Sequence, residues 1–201
     1  KKSTIGLHPH QGFEICSFVL KGKINHFDTK QNKWISLSQG DVQVIKSRNG
    51  ISHSEELEYK SEIFQIWFDP DISKSLNKEA SYNDYKSTDF KKIKSKKKNL
   101  KVIVGKNSPI KIDSEGILIN EYDFQIGNQI INIKNKSIHS IFILEGKIKL
   151  KSFYLTKGSF IKVENLNFLN LKVIENSKVF EIISPSIPSY RTYSQFNQRS
   201  K

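Results

Sequence analysis

Two short stretches carry residues able to do chemistry. The first is His8-Pro9-His10-Gln11-Gly12-Phe13-Glu14, and the second, about forty residues on, is Gly50-Ile51-Ser52-His53-Ser54-Glu55. Side chains alternate faces along a β-strand, so His8 and His10 share one face, and so do His53 and Glu55. If the two strands are neighbours, three imidazoles and a carboxylate converge and could hold a divalent transition metal with positions left open. Three of the five histidines in the chain fall in these two pairs, which makes a metal site the leading reading. Such a donor set suits Fe(II), Mn, Ni, Co, Cu or Zn, and intrinsic affinity alone does not choose among them. Thiolate chemistry is excluded because Cys16 is the only cysteine.

Other candidates compete with this set. Strict alternation puts Glu14 on the face of His8 and His10, unless a bulge at Gly12 changes the parity. His26 and Asp28 share a face of the next strand and read as structural residues. His139 stands alone beside an apolar strand, which again reads as structural.

The elements that must position these residues are short strands. Glu14 to Leu20, Ile24 to Asp28, Trp34 to Leu37, Val42 to Ile45, Ile51 to Glu55 and Glu62 to Phe68 are separated by Gly, Asn and Ser turns, the rhythm of a β-sandwich or barrel. Residues 71–100 are polar and lysine-rich and read as a solvated connection carrying one short helix. The rhythm resumes at Lys101 to Val104 and continues through Gly116 to Asn120, Ile130 to Ile133, Ser140 to Leu144, Lys147 to Leu150 and Val179 to Ile183.

The halves echo each other. Phe18-Val19-Leu20-Lys21-Gly22-Lys23-Ile24 matches Phe142-Ile143-Leu144-Glu145-Gly146-Lys147-Ile148, and Leu37-Ser38-Gln39-Gly40-Asp41-Val42 matches Leu155-Thr156-Lys157-Gly158-Ser159-Phe160. The expected organisation is all-β, with two barrels in tandem: 1–95 carries the metal motif and the lysine-rich connection, 96–188 a degenerate second barrel, and 189–201 a loosely ordered tail.

Composition bounds the rest. A chain of 201 residues with 36% hydrophobic and 11% aromatic residues can bury a real core. No apolar run reaches the roughly 18 residues of a membrane span. The start of the chain lacks the features of a signal peptide, and the absence of methionine suggests that it is trimmed. A single cysteine fits a reducing compartment, and a cytoplasmic location is expected.

The formal charge is +13, but arginine occurs only at 48, 191 and 199, so 30 of the 33 basic residues are lysine. Base readout leans on arginine, so no specific nucleic-acid partner is expected, only weak and salt-sensitive attraction to polyanions.

The stretches HPHQGFEICSFVLKGKINHFD, SQGDVQVIKSRNGISHSEE and FQIWFDPD, covering about residues 6 to 70, resemble the cupin superfamily and, within it, the pirin family. The resemblance implies two jelly-roll barrels, the first holding Fe(II) or a related ion at His8, His10, His53 and Glu55. It implies a quercetin 2,3-dioxygenase activity on a small flavonol- or enediol-type aromatic, with Glu55 as both ligand and base accepting a hydroxyl proton. The alternative it implies is a non-enzymatic iron or redox sensor that binds a protein partner, since the mammalian member is a nuclear transcriptional coregulator. Two features depart from the family pattern. Ser47-Arg48-Asn49 replaces the usual alanine-glycine before the second motif, and the residues that precede the first motif in relatives are missing here.

Overall fold

The computed structural model describes residues 2–197. The chain divides into two units, one running to Asp89 and adding Ile112–Ser114 and the segment from Tyr190, the other made of Phe90–Lys111 and Glu115–Ser189.

The first unit holds β1 (Ser3–His10), β2 (Glu14–Lys21), β3 (Lys23–Asp28), β4 (Trp34–Ser38), β5 (Val42–Lys46), β6 (Ile51–Leu57), β7 (Glu62–Phe68), α1 (Ile72–Ser75) and β8 (Ser81–Tyr85). They form two four-stranded antiparallel sheets, β1-β6-β3-β4 and β7-β2-β5-β8. The sheets close on a shared core: Ile15, Ile45, Ile51, Ala80 and Tyr82 form one cluster, and Val19, Ile24 and Leu37 another. Strand β2 is buried over six successive residues, Glu14 to Val19, as expected of a central strand covered on both faces.

The second unit holds β9 (Lys92–Lys94), β10 (Lys98–Val104), β11 (Leu118–Phe124), β12 (Gly127–Asn132), β13 (Ser137–Leu150), β14 (Phe153–Thr156), β15 (Phe160–Val163) and β16 (Phe168–Pro185). These make one eight-stranded antiparallel sheet around a core that includes Phe124, Ile131, Ile141, Ile143, Leu171 and Val179. Strands β13 and β16 each pair with several partners along their length, so a few long strands wrap the barrel. The molecule is therefore all-β, two barrels in succession along the chain.

The internal echo is structural. In the first barrel the Gly40 N–H donates to the Val19 carbonyl at 2.8 Å, and the Asp41 N–H to the Ser38 carbonyl at 2.9 Å. In the second, the Gly158 N–H donates to Ile143 and the Ser159 N–H to Thr156, both at 2.9 Å. Gly40 and Gly158 both sit at φ 87°, where a side chain would be strained.

Several elements differ from the sequence reading. The polar segment read as a connection contributes β8, which pairs with β5 and completes a sheet, and its lysine-rich end forms the β9–β10 hairpin, of which β9 is exposed. Strand β16 extends far upstream of Val179, because Leu169, Leu171 and Val173 point inward while Asn170 and Lys172 face solvent. In the segment read as a loose tail, the Tyr190 hydroxyl donates to the Asp69 carbonyl at 2.7 Å, and a short helix, α2, spans Tyr193–Asn197. Residues 198–201 of that segment lie outside the described residues.

Candidate metal centre

Strands β1 and β6 are antiparallel neighbours, and the register sets His8 directly opposite His53. His10 follows His8 by two residues and returns to the same face. The three rings therefore meet, with centroids 4.7 Å apart for His8–His10, 4.5 Å for His8–His53 and 4.8 Å for His10–His53. One nitrogen of each lies within 4.8 Å of the others.

The nitrogens are left without other work. His10 Nε2 and both nitrogens of His53 are buried and have no hydrogen-bond partner. The Nδ1–H of His8 donates to the Gly6 carbonyl at 2.7 Å, which leaves its Nε2 with a free lone pair. Orphaned buried polar atoms cost roughly 1–3 kcal/mol each, so a cluster of them needs a reason. Burial lowers the basicity of His53, and the neighbouring His8, His10 and His26 add to the effect, bringing its pKa to about 3. Burial, then His8, lowers His10 as well. At neutral pH these two imidazoles are neutral, the form that binds a cation.

Glu55 is 2% exposed and stands beside His53 in an adjoining set that also includes His26, with ligating atoms again within 4.8 Å of one another. Two amides clamp its carboxylate. Gln43 Nε2 donates at 2.7 Å to one oxygen, and Gln65 Nε2 reaches both oxygens at 3.4 and 3.3 Å. Both amides also donate to the Ser17 hydroxyl. The far end of Gln65 is held by Trp67, whose indole N–H donates to its Oε1 at 3.0 Å. Burial raises the Glu55 pKa above the usual carboxylate value, with the two amide bonds opposing. Trp67 is 48% exposed and meets the His10 ring edge-on at 4.7 Å.

Of the four residues singled out for the metal, the three histidines thus share one set, and Glu55 joins it through His53. His26, read from sequence as structural, is the addition. Its Nε2–H donates to Asp28 Oδ2 at 2.8 Å, its ring stacks on Tyr82 at 4.3 Å, and its buried Nδ1 has no partner. The signal was its register: His26 lies directly opposite Glu55 in the β3–β6 ladder.

Glu14 belongs to neither set. Its carboxylate accepts the backbone N–H of Asp113 at 2.6 Å and of Ser114 at 2.7 Å, plus the Ser114 hydroxyl, and Lys46 lies 3.5 Å away. The parity argument fails because β1 ends at His10 and the chain turns at Gly12, at φ 86°, before β2 begins.

In the second unit, His139 is fully used. Its Nδ1–H donates to Glu181 at 2.7 Å, and its Nε2 accepts the Lys134 N–H at 2.9 Å. Glu181 also accepts Tyr122 and Asn120, a closed polar network. Both potential metal-holding sets among the described residues lie in the first unit.

A groove of about 490 Å³ borders His10, lined also by Pro9, Gln11, Thr29, Gly50, Ile51 and Ser52. Two jelly-roll barrels in succession, with converging side chains in the first that could hold a metal ion, define a bicupin. Residues 2–68, within the first barrel, match the family model described as Pirin. The chain is 34% identical over 104 residues to a pirin-like protein of Arabidopsis thaliana, a match covering 51% of this chain and 32% of that one. It is 36% identical over 69 residues to a quercetin 2,3-dioxygenase of Escherichia coli, covering 33% of this chain and 29% of that one. The matched stretch thus spans about a third of these relatives' length. Among solved structures, the bacterial pirin YhhW of Escherichia coli, in complex with nickel(II), superposes with a TM-score of 0.74 at 18% identity, covering 92% of this chain and 77% of that one. No helix among the described residues is long and apolar enough to cross a membrane.

Proposed function

We propose that this chain is a metal-dependent dioxygenase of the quercetinase type, holding one divalent transition metal through His8, His10, His53 and Glu55. The observation that carries this reading is the convergence of imidazoles with unpartnered buried nitrogens beside a carboxylate clamped by two amides. A bound ion there would act as a Lewis acid and template for substrate and dioxygen. Iron(II) is the ion proposed; nickel(II), present in the related structure, suits the same donors.

The protein's own groups supply the rest. The groove beside His10 is within the size range of sites for small aromatic ligands. Glu55 would accept the hydroxyl proton of a flavonol-type substrate. Its pKa, raised by burial, makes it a stronger base than an exposed carboxylate. Gln43 and Gln65 hold the carboxylate beside the His53 and His26 imidazoles. Cys16, the lone thiol, is buried and free, in keeping with a reducing, cytoplasmic setting.

The test is oxygen uptake with quercetin after the protein is loaded with each divalent metal in turn. Uptake with at least one metal is the expected result. Tight binding of metals with no uptake from any of them would overturn the enzymatic reading in favour of a sensor that binds a protein partner. In the same assay Glu55→Gln is expected to keep most of the metal and lose turnover; full activity in that variant would remove Glu55 as the base.

A further inference from the structure

The second barrel carries a basic groove of about 640 Å³ that the metal reading does not use. Its charge comes from Lys97, Lys149, Lys151 and Lys172, and its amides include Asn128 and Asn170; no acidic side chain lines it. The register explains why these residues converge. Lys172 on β16 lies directly between Asn128 on β12 and Lys149 on β13, so all three share one sheet face. Asn170 lies two residues from Lys172, on that same face. Lys151 follows from the end of β13. Lys97 comes from the β9–β10 hairpin, which is tied down where Gln129 Nε2 donates to the Lys97 carbonyl at 2.9 Å.

Like charges directly opposite each other across a ladder are destabilising, and Lys149 faces Lys172 in that way. Elsewhere several lysines are set against acid: Lys2 with Glu56, Lys46 with Asp113, Lys86 with Asp41, Lys162 with Glu164. Here four lysines line one concavity, with the Lys149 ammonium 5.6 Å from the Tyr154 ring centroid, and a cleft of one charge sign concentrates field lines and collects anions. Several clustered ammonium point charges are best matched by highly charged groups, and a phosphate monoester carries about −1.5 to −2 at neutral pH where a carboxylate carries a single charge.

We infer that this groove is a binding site for a small molecule carrying two or more phosphate groups, distinct from the metal centre. The volume of this open groove lies in the small-molecule range and fits a compact ligand.

The experiment is isothermal titration of the full metal-loaded chain with fructose bisphosphate, a weak chelator, at low salt. Saturable one-to-one binding is expected, weakened at least about tenfold by the double substitution Lys149→Ala/Lys172→Ala and by a similar factor on raising the salt. Lys33→Ala/Lys60→Ala, which removes the same charge from the first barrel, should leave binding intact. No saturable binding, or an equal loss in that control, would overturn the site. Citrate binding as tightly as the bisphosphate would overturn the phosphate assignment. Displacement of the bisphosphate by a single-stranded oligonucleotide at lower concentration would make the groove a nucleic-acid face instead. None of these readouts depends on oxygenase activity.

Discussion

Trp67 links the mouth of the candidate centre to its carboxylate: its ring edge rests on His10, and its N–H holds the amide that in turn holds Glu55. Trp67→Phe keeps the ring contact and deletes the hydrogen bond. Partners in the outer shell of a metal site typically contribute ~10–100-fold in activity or affinity. The expected outcome is a drop in turnover of about tenfold at unchanged metal content, read by steady-state oxygen uptake beside metal analysis; unchanged turnover would sever the link. At this scale the sequence was informative where spacing alone decides. The alternations His8/His10 and His53/Glu55 name four of the five side chains around the centre. The fifth, His26, and the amide clamp from Gln43 and Gln65 depend on which strands are neighbours, and no local pattern reports that.

Among the elements, the strand break at Gly12 separates two glutamates of similar appearance into different roles. Glu14 is committed to the backbone of Asp113 and Ser114, and hydrogen bonds to a charged acceptor are worth roughly 1.5–3 kcal/mol each. Glu14→Gln replaces one accepting oxygen with a donor facing an N–H. The variant is expected to lose about 2–3 kcal/mol of stability in chemical denaturation while binding metal with the stoichiometry of the parent. Loss of metal without loss of stability would return Glu14 to the ligand set. Strand β8 shows the limit of reading elements from residues. Ser81-Tyr82-Asn83-Asp84-Tyr85 is too polar to announce a strand, and its place is fixed by pairing with β5, with Tyr82 turned into the core. Tertiary context overrides propensity there.

For the whole molecule, the two barrels share turn geometry but not chemistry. Both barrels keep the same turn hydrogen bonds at Gly40 and Gly158, but they treat buried histidine in opposite ways. The first leaves imidazole nitrogens unpartnered; the second ties His139 to Glu181 and closes the network with Tyr122 and Asn120. Removing one member of such a buried pair typically costs ~3–5 kcal/mol. Glu181→Ala should therefore lower the unfolding midpoint sharply and leave metal content and oxygen uptake per folded molecule unchanged. A fall in metal content of the folded protein would instead give the second barrel a part in the site.

The edge-on contact between Trp67 and His10 has an optical consequence. The chain has two tryptophans, and the other, Trp34, packs against Phe27 on β3. An open-shell ion held by the imidazoles would be coupled to one indole through the His10 ring that Trp67 touches, and would drain its excited state. In a Trp34→Phe background, emission should darken as an ion such as Fe(II) or Ni(II) is added and recover when a chelator withdraws it. The protein would then carry its own gauge of occupancy, one that needs no substrate.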